Sequence, residues 1–241
     1  MINTLDTNYS DRLQQVHNRI HAACQGCGRP DSSVTLLAVS KTLGIDAIQA
    51  AHAAGQTAFG ENYILEAIAK ITALSSLAVS PPLLWHCIGP IQSNKTRLVA
   101  EHFDWVHTLD RLKIAERLSA QRPPHLGPLQ VCIQVNADGS LSKAGVPPSE
   151  ALALAQAVAK LPRLRLRGVM SIPDASEDFE ANCAVFAHVH AIFDALNNVG
   201  MGLDTLSMGM SADLEAAITA GSTLVRVGSA IFGQRPPHAK G

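Results

Sequence analysis

Aromatic side chains are scarce: Phe, Trp and Tyr together make up 4% of the 241 residues. Stacking platforms for nucleic-acid bases need such rings, so this scarcity argues against base binding. Charge of one sign is missing as well. The formal net charge is −1 at pH 7. Lys and Arg are scattered rather than striped, which argues against nucleic acid as the main partner. No apolar run approaches the ~18 residues of a membrane span, and the opening MINTLDTNYSDRLQQV has no apolar stretch of secretory-leader type. The cysteines, Cys24, Cys27, Cys87, Cys132 and Cys183, are odd in number and lack the spacing of a disulfide framework, as in reducing compartments. These absences together predict a cytoplasmic protein with neither nucleic-acid nor membrane partners.

What is present is a long alternation. Residues 9–26 have helical spacing, with Leu13, Val16, Ile20 and Ala23 on one face and Gly26 and Gly28 available to end the helix. After Pro30, apolar strand-like runs alternate with amphipathic helices eight times, the strands falling at 34–40, 57–60, 83–89, 105–109, 129–136, 165–170, 205–209 and 224–228. Strands and helices at this spacing imply right-handed βαβ units and a parallel sheet. Eight units can close into a (β/α)8 TIM-type barrel, with an open doubly wound sheet as the alternative. No linker or repeat divides the chain, so residues 1–241 are expected to form one α/β domain. An N-terminal helix falls within 1–30, and the proline-containing tail 235–241 is expected to fray.

A barrel places its site where strands hand over to helices. The predicted strand ends are Ser40-Lys41, Glu61-Asn62, His86 to Pro90, His107 to Asp110, Asn136, Met170-Ser171, Gly209 to Ser211 and Gly228-Ser229. Lys41 follows the buried-looking run LLAVS directly. A lysine there, partly desolvated, can become nucleophilic toward an aldehyde; the bland alternative is a snorkelling lysine at a strand end. In SMGMSADLEAAI, Ser211 is a candidate N-cap for a helix beginning near it, whose free N–H groups would face an anion. Gly228-Ser229 repeats the theme after the eighth strand, and barrels commonly hold phosphate there. Arg226 alternates with Val225 and Val227, so period two points it into the barrel. It would pair there with a buried carboxylate or with a ligand's ring nitrogen.

Six motifs in order then carry a resemblance: AVSKT (38–42), FGENY (59–63), WHCIGPIQSNK (85–95), RLRGVMSIP (165–173), LSMGMSADLEAAI (206–218) and VRVGSAIFGQR (225–235). With them the chain, from about residue 10 to residue 235, resembles the pyridoxal phosphate homeostasis protein family, which shares a fold with the N-terminal barrel of alanine racemase. The resemblance implies that Lys41 carries an imine (Schiff base) to pyridoxal 5′-phosphate and that Arg226 hydrogen-bonds the pyridine nitrogen. It implies that Asn62 lies near the cofactor, and that Met210-Ser211 and Gly228-Ser229 hold the phosphate. His86 and the Gly89 loop belong to the pattern and are expected to line the mouth. Departures are small: Cys87 stands where a bulky aromatic is common, and Lys143-Ala144-Gly145 where a hydroxyl usually separates lysine from glycine.

Binding a cofactor does not make an enzyme. Racemases of this barrel type add a second base from a C-terminal β domain, for which this chain has no residues, and Tyr9 and Tyr63 are its only tyrosines. The expectation is therefore a monomeric carrier of this vitamin B6 cofactor, acting in its homeostasis and delivery to apo-enzymes. Weak racemase-type catalysis is the alternative, and a cofactor-free aldolase with a sugar-phosphate imine on Lys41 is a third reading. Cys24-Gln-Gly-Cys27 is a lone CxxC, and His188 and His190 lie two apart on a helix, so no metal site is expected.

Overall fold

The computed structural model describes residues 6–76, 80–139, 143–174 and 176–233. The strands are β1 (Thr35–Val39), β2 (Ala58–Glu61), β3 (Leu84–Cys87), β4 (Trp105–Leu109), β5 (Leu129–Gln134), β6 (Leu164–Met170), β7 (Thr205–Ser207) and β8 (Leu224–Val227). They form a closed barrel in sequence order, every neighbouring pair parallel. β8 closes on β1 with Thr35 opposite Leu224 and Leu37 opposite Arg226. The barrel, not the open sheet, is the fold. Its strands read as short apolar runs because the strands of a parallel barrel are covered on both faces.

Helices α2 (Ile45–Ala53), α3 (Ile64–Ser75), α4 (Thr96–His102), α5 (Leu112–Gln121), α6 (Pro148–Ala159), α7 (Phe179–Asn198) and α8 (Leu214–Thr219) follow their strands. Each turns an apolar stripe toward the sheet, as α6 does with Ala151, Leu154, Ala155 and Val158. The Asp178 carboxylate caps α7, accepting from Glu180 N at 2.9 Å and Ala181 N at 3.4 Å. The last helix, α9 (Ser229–Phe232), is a single turn after β8. The expected tail 235–241 lies outside the described residues.

α1 (Asp6–Gly26) packs on α2, α8 and α9, burying Leu13, Val16, Ile20 and Cys24 along one stripe. Gly28, at φ +67°, lets the chain leave the helix end. Polar staples hold α1 and the turn after it to the last βα unit. Arg19 grips the Glu215 carboxylate at 2.6 and 2.8 Å, and Arg29 donates to Ile218 O at 2.7 Å and Ser222 O at 2.8 Å.

The apolar core divides by strand face. Outward residues such as Leu36, Ala38, Phe59, Val225 and Val227 join the large layer under the helices. Leu37, Val39, Ala58, Ile88 and Leu224 form a separate small cluster inside the barrel. At roughly 1.5–3 kcal/mol per fully buried aliphatic side chain, the outer layer dominates stability. That leaves room for polar side chains inside.

Candidate functional site

A cavity of about 570 Å³ opens at the C-terminal mouth. β1 brings Val39 and Lys41 to it, β2 Asn62, β3 Ile88, and the turn after β6 Ile172. The turn after β7 brings Met210, Ser211 and Ala212; β8 and α9 bring Arg226, Gly228, Ser229 and Gly233. Lys41, Asn62, Met210, Ser211, Arg226, Gly228 and Ser229, scattered over the sequence, therefore share one wall.

The backbone around Lys41 is anchored on both sides. Ser40 N donates to Gly60 O at 3.0 Å, and Thr42 N donates to Glu66 Oε1 at 2.7 Å. Thr42 sits at φ 65°. A β-branched residue in that left-handed region is strained, and such strain persists only where surrounding contacts over-determine it. The contacts come from a buried charge cluster that sequence reading missed. Lys70 Nζ donates to Ser40 O at 2.9 Å, to Glu61 Oε1 at 2.8 Å and to Glu66 Oε1 at 2.5 Å. Ser40 Oγ donates to Glu61 Oε1 at 2.6 Å. Burial pushes the Glu61 carboxyl above its usual range while Lys70 pulls it back. One signal was available: Glu66 and Lys70 lie four apart on the helix after FGENY.

Arg226 points inward, as period two requires, and is 4% exposed. Its hydrogen-bond partners among the described residues are oxygens of the barrel, with no carboxylate among them. Nη1 donates to Ser207 O and Ser207 Oγ, each at 2.7 Å, and Nη2 to Ser171 O at 2.9 Å. Burial lowers its pKa to about 10, with Asp213 opposing, so it stays charged at neutral pH.

Two adjoining turns, after β7 and after β8, contribute to the lining. The helix after β7 begins at Leu214, not near Ser211, and Asp213 occupies its N-cap position without capping it. The Asp213 carboxylate instead accepts from Met210 N at 2.5 Å, folding 210–213 into a turn. Ser211 Oγ accepts from Ala230 N at 3.4 Å, so its cap serves the neighbouring α9. Both functions fall on tertiary neighbours that local sequence cannot register. Backbone N–H groups of Ser211, Ala212 and Ser229 make no hydrogen bond among the described residues.

The two expected lining residues, His86 and Gly89, are not among those that line this cavity. His86 and His107 are buried inside the barrel below the cavity, joined Nδ1 to Nε2 at 2.9 Å. His86 borders a different cavity, of about 380 Å³, with Trp105, Arg167 and Asp204. The reason is alternation: β3 turns Trp85 and Cys87 outward into the main core, so His86 must face in. Gly89 supports the site from behind. A Cβ there would fall 2.0 Å from Asn62 O, so only glycine allows the two loops to touch.

A closed barrel with this cavity at its C-terminal mouth defines the class of protein. A sequence model of the alanine racemase N-terminal domain matches residues 12–236. The pyridoxal phosphate homeostasis protein of Pseudomonas aeruginosa is 54% identical over 226 residues, covering 94% of this chain and 95% of that one. The protein of the same name from Escherichia coli K12 is 53% identical over 223 residues, with 92% and 95% covered. PipY of Synechococcus elongatus, solved with PLP bound, superposes with a TM-score of 0.79 at 35% identity, covering 93% of this chain and all of that one (100%). The chain belongs to the pyridoxal phosphate homeostasis protein family.

Proposed function

We propose that the chain binds pyridoxal 5′-phosphate in the mouth cavity, holds it reversibly as a Schiff base on Lys41, and releases it to apo-enzymes without strong catalysis of its own. One observation carries the reading: Lys41 after β1, Arg226 from β8 and N–H groups of two turns that have no partner among the described residues line a single cavity. When bound, the cofactor supplies an aldehyde that condenses with an amine and a ring that draws electrons.

The residues fit the group. A volume of about 570 Å³ lies within the roughly 300–1,000 Å³ of small-molecule sites. N–H groups of Ser211, Ala212 and Ser229 offer donors to a phosphate, as turns and helix starts do. Asn62 Oδ1 is buried without a partner among the described residues and would gain one from a polar ligand. Arg226, locked by carbonyls, presents a charge that cannot be shed to the ring nitrogen.

The described lining also supports the carrier reading. Apart from Lys41 and Arg226 it has no Asp, Glu, His, Cys or Tyr. A racemase-type reaction needs a second base at the substrate carbon. Tyr63 sits at the N-cap position of α3, 45% exposed, and is not part of the lining. A cytoplasmic monomer, acting as one barrel domain over the whole chain, completes the proposal. No helix of the described residues is long and apolar enough to cross a membrane.

The test is the absorbance spectrum of the protein loaded with pyridoxal phosphate, before and after borohydride, beside Lys41→Ala. The expected result is a visible band in the wild type, lost on reduction with the cofactor left on the Lys41 peptide, and absent from the variant. A wild type that stays colourless with added cofactor overturns the reading and directs attention to a sugar-phosphate imine. Racemisation of alanine by the coloured protein would overturn the carrier role alone.

A further inference from the structure

Below the cavity, four side chains from four strands are joined end to end. Arg226 Nη1 of β8 donates to Ser207 Oγ of β7 at 2.7 Å. Ser207 Oγ lies 2.9 Å from His107 Nδ1 of β4, and His107 Nε2 lies 2.9 Å from His86 Nδ1 of β3. All four residues are buried.

The chemistry of the donors sets the direction of this chain. A guanidinium has no lone pair to offer, so Ser207 Oγ accepts from it. The serine proton then has one acceptor within reach among the described residues, His107 Nδ1. His107 must therefore carry its proton on Nε2 and donate to His86 Nδ1, which places the His86 proton on its own Nε2. The reverse assignment strands the serine proton in the barrel interior, where an unmet donor is costly. Both imidazoles are neutral. Burial lowers His86 to about 3, and burial, then His86 and Arg226, hold His107 well below the usual range. The His86 ring is stacked on Trp105, with centroids 5.2 Å apart and planes at 7°. The column thus has a rigid foot.

We propose that Ser207 and His107, with His86 behind them, are positioning residues for the contact between Arg226 and the cofactor ring nitrogen, acting through a one-way hydrogen-bond chain. The proposal rests on the pyridoxal phosphate reading above. Nη1 is engaged twice by Ser207 and Nη2 once by Ser171, so the guanidinium plane is pinned at three points. By taking the hydroxyl proton, His107 fixes the Ser207 rotor so that an Oγ lone pair faces Nη1, beside the Ser207 carbonyl that holds the same nitrogen. The column orients the Arg226 guanidinium in the cavity lining without touching the ligand.

Two measurements test this. In the ligand-free protein labelled with ¹⁵N-histidine, long-range ¹H–¹⁵N correlation should show His86 and His107 both neutral and protonated on Nε2. An Nδ1–H form of either overturns the direction of the chain whatever the protein binds. Next, the dissociation constant for pyridoxal phosphate and the ¹⁵N shift of its labelled ring nitrogen are compared in His107→Asn and His107→Leu. Asn can still accept from Ser207, whereas Leu fills the space without accepting. Asn should stay near the wild-type affinity, while Leu should bind about tenfold more weakly, the scale of one net hydrogen bond, and move the ring-nitrogen shift. A packing role predicts the opposite order. If Leu matches or exceeds Asn in a wild type that binds, the positioning claim fails alone; if the wild type binds nothing, the reading of the site fails with it. Ser207→Ala, a smaller change, should reproduce the Leu result if His107→Leu does not fold.

Discussion

Lys70 Nζ lies 2.8 Å from Glu61 Oε1, with the lysine side chain 7% and the glutamate side chain 0% exposed. The pair sits directly behind the segment that carries Lys41, and Lys70 also holds Ser40 O. A buried ion pair of this kind contributes little net stability, because desolvation offsets attraction, but breaking it strands a charge. Lys70→Met should therefore cost about 3–5 kcal/mol in urea unfolding. Adding Glu61→Gln should recover much of that loss, since the stranded carboxylate is gone. Equal stability of the single and double variants would show that Glu61 carries no charge there.

Gly89 and Asn62 make the second contact on which the site depends. A Cβ at Gly89 would meet Asn62 O at 2.0 Å and Asn62 Cα at 2.7 Å, backbone that cannot step aside cheaply. Gly89→Ala is expected to destabilise by about 1–3 kcal/mol through overpacking. It should also weaken pyridoxal phosphate binding by displacing Asn62. Thermal melts with and without the cofactor separate the two effects, and a variant with wild-type values in both would remove this contact from the account.

Replacing Arg226 with Leu removes three hydrogen bonds; Ser207 O keeps the one from Ser171 N at 3.2 Å, whereas Ser207 Oγ and Ser171 O lose their donor. Each unmet buried acceptor costs on the order of 1 kcal/mol or more. The variant should lose about 2–4 kcal/mol of stability by this reckoning and bind the cofactor at least tenfold more weakly by calorimetric titration. Undiminished binding would take Arg226 out of the site.

Acid should unfold the protein partly through its interior histidines. His86, with an ordinary value of 6.5, is lowered to about 3 when folded, and His107 is lowered well below 6.5. Between these values the unfolded chain binds protons that the folded one refuses, so stability falls as pH drops below about 6.5. Two such groups contribute a slope of up to ~2.7 kcal/mol per pH unit. His86→Phe keeps a ring beside Trp105 and should flatten the slope between pH 6 and 4 by about one proton's worth. Unchanged steepness in urea unfolding across that range would mean that His86 is charged in the folded state.

Much of the architecture was legible in the residues. Apolar runs and helical stripes are short-range patterns, set by the local geometry of strand and helix, and the eight strands fall where those patterns end. Lys41 and Arg226 could be read toward the cavity for the same reason: one follows a buried run and the other alternates with valines. The errors were of another kind. Ser211 has the chemistry of an N-cap for its own helix, yet its hydroxyl serves Ala230, which only the closed barrel brings near. His86 was expected at the mouth because it belongs to the family pattern, yet alternation within β3 turned it inward, into contact with His107.

By itself, then, the sequence determined the order of elements, the parallel pairing of the strands and the residue types available at their ends, but left a closed barrel and an open sheet both possible, because periodicity and turn chemistry act over a few residues. Tertiary structure alone decided which polar groups meet in the interior. His107 and Ser207 lie 100 residues apart and bond at 2.9 Å, and Lys70 reaches back 30 residues to Ser40 O. No local pattern encodes such a pairing. It follows from barrel closure, which places inward side chains of distant strands at one level and leaves each buried donor to the acceptor that closure supplies.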